Sequence, residues 1–293
     1  MAIAARARED RPQLGILMML AAWFLFALVD TAAKWLAVAS FPAIQIAFMR
    51  YAGHAVIATT LFVRGGVTRD AFATEHLWAI LSRAALLVTA TFSNFVALNY
   101  LSLTVTSAIM FSSPIIVCLL SFTVLGERVG IWRMSAILIG FLGVLIVIRP
   151  GGESFHIAML LPVFNAVSLA VYSIMTRRLA GVVSTEIMQF YMGMLGTLAL
   201  MPFALWHWQA PQDPFIWFIL ISTGVFGWAG HQLLTNAHRF GSANTLMPYT
   251  YSFMIYLATI SYFLFNETPD IWTITGALVI VGSGLIIWKR EQR

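Results

Sequence analysis

Asp30 and Lys34 in "LVDTAAKW" and Arg50 in "IAFMRYAGH" are charged side chains set inside long apolar runs. Holding an unpaired charge of this kind at the centre of a bilayer costs about 2.5–3.5 kcal/mol on insertion scales. Such residues persist because they pair with one another, because they bind something, or both. Asp30 and Lys34 are four residues apart, so they share one face of a helix. If the first run spans and the second returns, Asp30 lies about 9 Å and Arg50 about 12 Å from the same end of the two segments, at a rise of about 1.5 Å per residue. An Asp30–Arg50 ion pair is therefore feasible. So is a site in which the carboxylate takes an ammonium and the guanidinium takes a carboxylate.

Polar residues recurring every three or four positions mark further helix faces, because lipid cannot satisfy such groups. Trp228, His231, Gln232, Thr235 and Arg239 form one stripe, and Asn165, Ser168, Tyr172 and Thr176 a second. Thr245, Tyr249, Ser252, Tyr256 and Thr259 form a third. Helix–helix hydrogen bonding is the structural alternative for each stripe. The substrate-binding candidates are Asp30, Arg50, Asn165, Tyr172, Trp228, His231, Gln232, Tyr249 and Ser252. Arg83 is expected to snorkel toward the nearer interface, and His54 to be a hydrogen-bonded core residue. No H-E-x-x-H, G-x-S-x-G or Walker pattern occurs. The single cysteine, Cys118, excludes a disulfide within the chain, and His231 and His238 lack a third ligand. Neither enzyme chemistry nor a metal or other cofactor is expected.

The elements that position these residues follow from composition. Of 293 residues, 60% are hydrophobic and only 10% charged, against about 25% charged in a soluble domain. Ten apolar stretches, each about 20 residues long, lie near 14–36, 42–62, 77–99, 104–125, 131–149, 157–177, 185–206, 214–238, 242–265 and 271–288. The expected fold is an all-α polytopic membrane protein, with the lipid bilayer as its first partner. Arg6, Arg8 and Arg11 before the first run resemble a signal-peptide start. That run is too long and carries Asp30 and Lys34, so an uncleaved span is expected. With the N-terminus inside, 13 of the 17 Lys and Arg fall on the cytoplasmic side, and only Lys34 and Arg149 on the other. That asymmetry places both termini in the cytoplasm. It also makes the basic pI a matter of topology, with no nucleic-acid partner.

The stretch "LGERVGIW" (125–132) returns 140 residues later as "FNETPDIW" (265–272). The same shift aligns Ala97 with Ala237, Ser102 with Ser242 and Ser112 with Ser252; a shift of 143–144 aligns Lys34 with Arg177 and Gln45 with Gln189. Residues 1–150 and 151–293 then each hold five spans. An odd number of spans makes the second half enter from the opposite side, so the repeats are inverted around a central cavity. Glu127 and Glu267 read as helix caps, and Trp132 and Trp272 as interfacial anchors. Gly140, Gly143, Gly276, Gly282 and Gly284 read as close helix packing, within the chain or against a second copy. Pro114 and Pro248 are expected to kink helices 4 and 9.

Two five-helix halves, "GERVGIW" at 126–132, "VIRPGG" at 147–152 and "GALVIVGSG" at 276–284 resemble the EamA-type permeases, the ten-helix members of the drug/metabolite transporter superfamily. Within that family the chain looks most similar to the bacterial aromatic amino-acid exporters. The resemblance implies export or exchange of small metabolites by alternating access, in the bacterial inner membrane. Amino acids are the expected substrates, since charges of both signs stand beside amides, hydroxyls and aromatics. The alternatives are a sugar phosphate, a nucleotide sugar, a cationic drug, or a receptor or scaffold that transports nothing. Phosphate substrates need several converging cations, and the second half carries none deep in a span. Oligomeric state stays open.

Overall fold

The computed structural model describes residues 11–64, 76–113, 115–117, 119–120, 131–153, 155–179, 182–240 and 246–291. Arg6, Arg8, Pro114, Cys118, Gly126, Glu127, Ser242 and Thr245 lie outside the described residues, as do the side chains of Trp132, Arg177, His238, Arg239 and Pro248. Ten α-helices are described: α1 (Pro12–Val38), α2 (Ala43–Arg64), α3 (Leu77–Ala97), α4 (Leu103–Met110), α5 (Ile131–Ile148), α6 (Leu160–Leu179), α7 (Thr185–Trp206), α8 (Pro214–Phe240), α9 (Ser252–Phe265) and α10 (Ile271–Glu291). Five stretches, 12–38, 77–97, 157–176, 185–206 and 214–237, are long and apolar enough to cross a membrane. The second helix is 22 residues long, but Arg50 and His54 lower its hydropathy. The chain is an all-α polytopic membrane protein.

Local chemistry sets the helix ends. Ser102 caps α4 by accepting from the amide of Val105, and Ser184 caps α7 by accepting from that of Ile187. Glu186 lies in the first turn of α7, where a negative charge suits the helix dipole. Asp270 caps α10, accepting from the Thr273 amide at 2.9 Å, and also pairs with Arg149. Partial burial is the largest single influence on its carboxyl and pushes it up. The hydroxyl and amide of Thr273, together with Arg149, outweigh that and hold it below the ordinary carboxylate range. Glu267, expected as the cap, instead accepts from Ser261 Oγ at 2.7 Å and pairs with Lys34. Asn266 ends α9 in a left-handed conformation at φ 53°, which asparagine tolerates better than most residues. Pro248 does not kink α9. It lies in a 3₁₀ turn, Met247–Tyr251, and the α-helix begins after it.

The most extensive helix contacts come in pairs related by adding five to each helix number. The α1–α8 contact matches α6–α3, α2–α8 matches α7–α3, and α1–α9 matches α6–α4, while α2–α7, α4–α9 and α5–α10 map onto themselves. This is the pattern expected of two five-helix units related by a pseudo-two-fold axis. Close approach at the self-related and neighbouring contacts needs glycine. A Cβ on Gly143 would lie 2.9 Å from the Gly276 carbonyl oxygen, and one on Gly276 would lie 2.7 Å from that of Gly143. These two glycines pack α5 on α10 within one chain. Gly282, grouped with them on sequence, would meet nothing.

The tightest crossing beside the buried charges is α2 on α8, where a Cβ on Gly224 would lie 2.7 Å from the Cα of Gly53. Backbone cannot yield there as a side chain would, so Gly224→Leu is expected to cost at least about 1–3 kcal/mol, the range for overpacked cores. Gly282→Ala should be neutral. Melting temperatures of the two variants in detergent check this, and equal melting temperatures would contradict the packing described.

Candidate functional site

Lys34, Asp30 and Arg50 are treated differently by their surroundings. Lys34 Nζ donates to the carbonyls of Leu98 and Leu101, at 3.0 and 2.8 Å, and lies 3.4 Å from Glu267 Oε1. Its three donors are fully engaged. It ties α1 to the α3–α4 turn and to the loop before α10. This is a structural clasp between the two halves at the end remote from the N-terminus.

The Asp30–Arg50 ion pair that matching depth made feasible does not form. Both Asp30 oxygens accept from the side-chain amide of Asn94 on α3, at 3.2 Å each. Arg50 Nη1 donates to Thr91 Oγ1 at 2.6 Å and to Tyr51 Oη at 3.4 Å. Tyr51 in turn donates to the Leu87 carbonyl at 3.1 Å. The two charges are near enough to act on one another electrostatically, yet each leans on the neutral face of α3. Arg50 Nε and Asn94 Oδ1 are buried without a hydrogen-bond partner. The Arg50 stem crosses α8 over Gly227, where a Cβ would come within 3.2 Å of Nε. Absence of a side chain at that point leaves the guanidinium room to lie between α2 and α8.

Arg83 does not snorkel. It is 6% exposed, and Nε donates to Thr176 Oγ1 at 2.7 Å while Nη2 donates to Tyr172 Oη. Its guanidinium also lies 4.3 Å from the centre of the Tyr172 ring. Tyr172 and Thr176 of the α6 stripe receive this arginine, a cation–π and hydrogen-bonded grip across the α3–α6 contact. The spacing of Tyr172 and Thr176 was the visible signal; the partner on α3 was not.

His231 joins the charged group from α8. Its ring is 4.9 Å from Phe26 and 6.3 Å from His54, and its Nε2 is unpartnered. Trp228 and Gln232 flank it on the same helix and are half-buried. Two other candidates lie apart: Tyr249 packs with Met19, Leu234 and Leu246, and the Ser252 hydroxyl donates to the Tyr249 carbonyl at 2.7 Å. Asn165 is buried and gives its amide to Met110 Sδ at 3.2 Å. The structure thus gathers Asp30, Arg50, His231 and Tyr172 with four residues absent from the sequence-based set: His54, Arg83, Thr91 and Asn94. Thr91 and Asn94 share a face of α3, but one threonine and one asparagine three residues apart do not make a stripe that recurs along a helix.

The family model for the EamA-like transporter family matches the chain twice, at residues 13–149 and 156–289. The chain belongs to that family. A riboflavin transporter of Brucella anthropi is 30% identical over 282 residues, 94% of this chain and 98% of the relative. An S-adenosylmethionine uptake transporter of Rickettsia prowazekii is 26% identical and covers 92% of each chain. A pseudopaline exporter of Pseudomonas aeruginosa is 27% identical, over 95% of this chain and 97% of its own length. A solved crystal structure with 17% identity superposes at a TM-score of 0.66 over 97% of this chain and all of the other, a likeness of fold. This EamA-like protein is therefore an integral membrane protein whose relatives are named transporters of small molecules. They include one named for uptake and one for export.

Within this EamA-like bundle the clasp and the open charges separate by mutation. Lys34→Met strands two carbonyls and the Glu267 carboxylate, an expected loss of about 3 kcal/mol by analogy with broken buried pairs. Glu267→Gln leaves Lys34 with both carbonyls and should cost clearly less. Thermal unfolding of both variants in detergent measures the difference, and equal destabilisation would contradict the clasp.

Proposed function

We propose that this chain is a secondary transporter that exports or facilitates small metabolites carrying an ammonium and a carboxylate, with amino acids, aromatic ones included, as the first candidates. The observation that carries this reading is the pair of buried charges that do not satisfy each other. Asp30 faces a single amide, and Arg50 keeps a buried N–H without a partner. An ammonium at Asp30 and a carboxylate at Arg50 would supply what each lacks, and charge-assisted bonds of that kind are about twice as strong as neutral ones. Aromatic rings at Phe26 and Trp228 suit an apolar side chain. The halves 1–150 and 151–293 rock against each other, and the site opens to one side and then to the other. The chain lies in the bacterial inner membrane with both termini cytoplasmic, and it performs no covalent chemistry.

A second reading has support from the relatives. Transporters named for riboflavin and for S-adenosylmethionine share nearly the whole length of this chain. Both compounds carry a flat nitrogen heterocycle, and S-adenosylmethionine also carries an α-amino carboxylate. A zwitterion attached to a heteroaromatic ring satisfies both readings.

Flux into proteoliposomes, with and without a proton gradient, tests the proposal. The panel holds phenylalanine, tryptophan, methionine, glutamate, S-adenosylmethionine, riboflavin, a sugar phosphate and a quaternary ammonium drug. Saturable flux of the zwitterions is expected. Asp30→Asn should lower it at least about tenfold, the effect of losing about 1.4 kcal/mol of differential binding, while folded yield stays unchanged. Flux confined to the phosphate or the drug would overturn the reading, and so would full transport by Asp30→Asn.

A further inference from the structure

One turn along α2 from Arg50, His54 enters a group of polar atoms that the charge-pair reading does not use. Its imidazole lies 6.3 Å from that of His231 on α8, and Nε2 of each ring is buried without a protein partner. Gln189 on α7 bears on the His54 ring through both its side chain and its backbone, although its buried Oε1 makes no hydrogen bond of good geometry. The repeat makes the contrast sharp. Gln45, which aligns with Gln189 in the first half, both donates to and accepts from the Gln209 backbone at 2.9 Å. The same residue type is locked to backbone in one half and set beside a histidine in the other. Buried polar atoms without partners are rare in folded proteins, and here α2 and α8 set two such imidazoles side by side, with Gln189 of α7 next to the first.

The surroundings decide what chemistry would satisfy these atoms. Among the described residues no third histidine, cysteine or carboxylate joins the pair to hold a metal. A cation would meet the field of Arg50 and Arg83, which both act on His231. An anion has a better partner in Arg50 itself. What remains is an uncharged group that offers a donor and an acceptor together. The Phe26 ring stands edge-on against His231 at 4.9 Å, so one wall of this place is aromatic and suits a flat group.

We propose that His54, Gln189 and His231 form a second subsite, one turn from Arg50, that hydrogen-bonds an uncharged planar edge of the substrate: an amide, an imide or a heterocyclic nitrogen. This rests on the reading that Arg50 contacts substrate. It makes the transported molecule bipartite, with a charged end at Asp30 and Arg50 and a neutral hydrogen-bonding end at the histidines.

Paired probes differing only in that edge give the test, by competition for binding to the purified full-length protein. The pairs are riboflavin against riboflavin methylated at its imide nitrogen, and tryptophan against naphthylalanine. In at least one pair the hydrogen-bonding member should bind at least about tenfold more tightly, because a site built around polar groups rejects an analogue that leaves them unpaired. His54→Phe, His231→Phe and Gln189→Leu should each bring that ratio toward one without weakening the isostere, while His54→Asn keeps it. Gln189→Leu gives the same reading if a histidine variant does not fold. A ratio near one for both pairs in the wild-type protein overturns the subsite, as does a ratio that survives all three substitutions. Binding of none of the four probes overturns the proposed function and the subsite together. Unaltered binding of tryptophan and naphthylalanine by Asp30→Asn, with the ratio intact, overturns only the charge-pair reading.

Discussion

Lipid offers no hydrogen bonds, so every polar group inside this bundle must be satisfied by protein, by water in a cavity, or by a ligand. That constraint sorts the buried charges. Lys34 is surrounded by two carbonyls and a carboxylate, and Arg83 by a phenol, a hydroxyl and a ring face. Both hold helices together. Asp30 and Arg50 stand between them and are only half satisfied, each bonded to neutral groups on α3. Lys34 has every donor engaged, while Arg50 and Arg83 each keep one buried N–H without a partner, Arg50 Nε and Arg83 Nη1, so completeness separates the clasp from both arginines.

The inverted repeat places these residues but does not duplicate them. A shift of 143 sets Arg50 against Gly193, and that glycine is where α7 closes on α2, beside Ala55 and His54. Where the first half has a cation, the second has the room that lets a helix approach. The scaffold is symmetric, as its paired helix contacts show, and the chemistry sits on one side of it. Two halves of matching fold thus differ in where their buried charges lie, most of them in the first half.

The fold was legible because it depends on patterns that do not need partners. Long apolar runs, the recurring Ile-Trp after a Glu, and serines at helix starts are visible in one dimension, and ten helices follow from them. The site was legible only in part. Asp30, Arg50 and His231 announce themselves as polar residues in apolar surroundings. Thr91 and Asn94, which hold Arg50 and Asp30, look like ordinary helix residues until α3 is placed beside α1 and α2. The charge–charge pair that matching depth made feasible does not form for a related reason: depth is set by sequence position, but azimuth is set by packing. Arg83 was misread because counting turns from a helix end ignores what the facing helix presents. Here that helix presents Tyr172 and Thr176, and the arginine turns inward.

The central claim, that Asp30 and Arg50 leave each other unsatisfied so that one molecule can satisfy both, has a direct measurement. It is the affinity of a zwitterionic amino acid, its decarboxylated amine and its deaminated acid for the wild-type protein, Asp30→Asn and Arg50→Gln. The account predicts a crossed pattern. Asp30→Asn should weaken the amino acid and the amine but spare the acid, and Arg50→Gln should weaken the amino acid and the acid but spare the amine. Equal losses for all three ligands in both variants would mean that the two charges only support the fold.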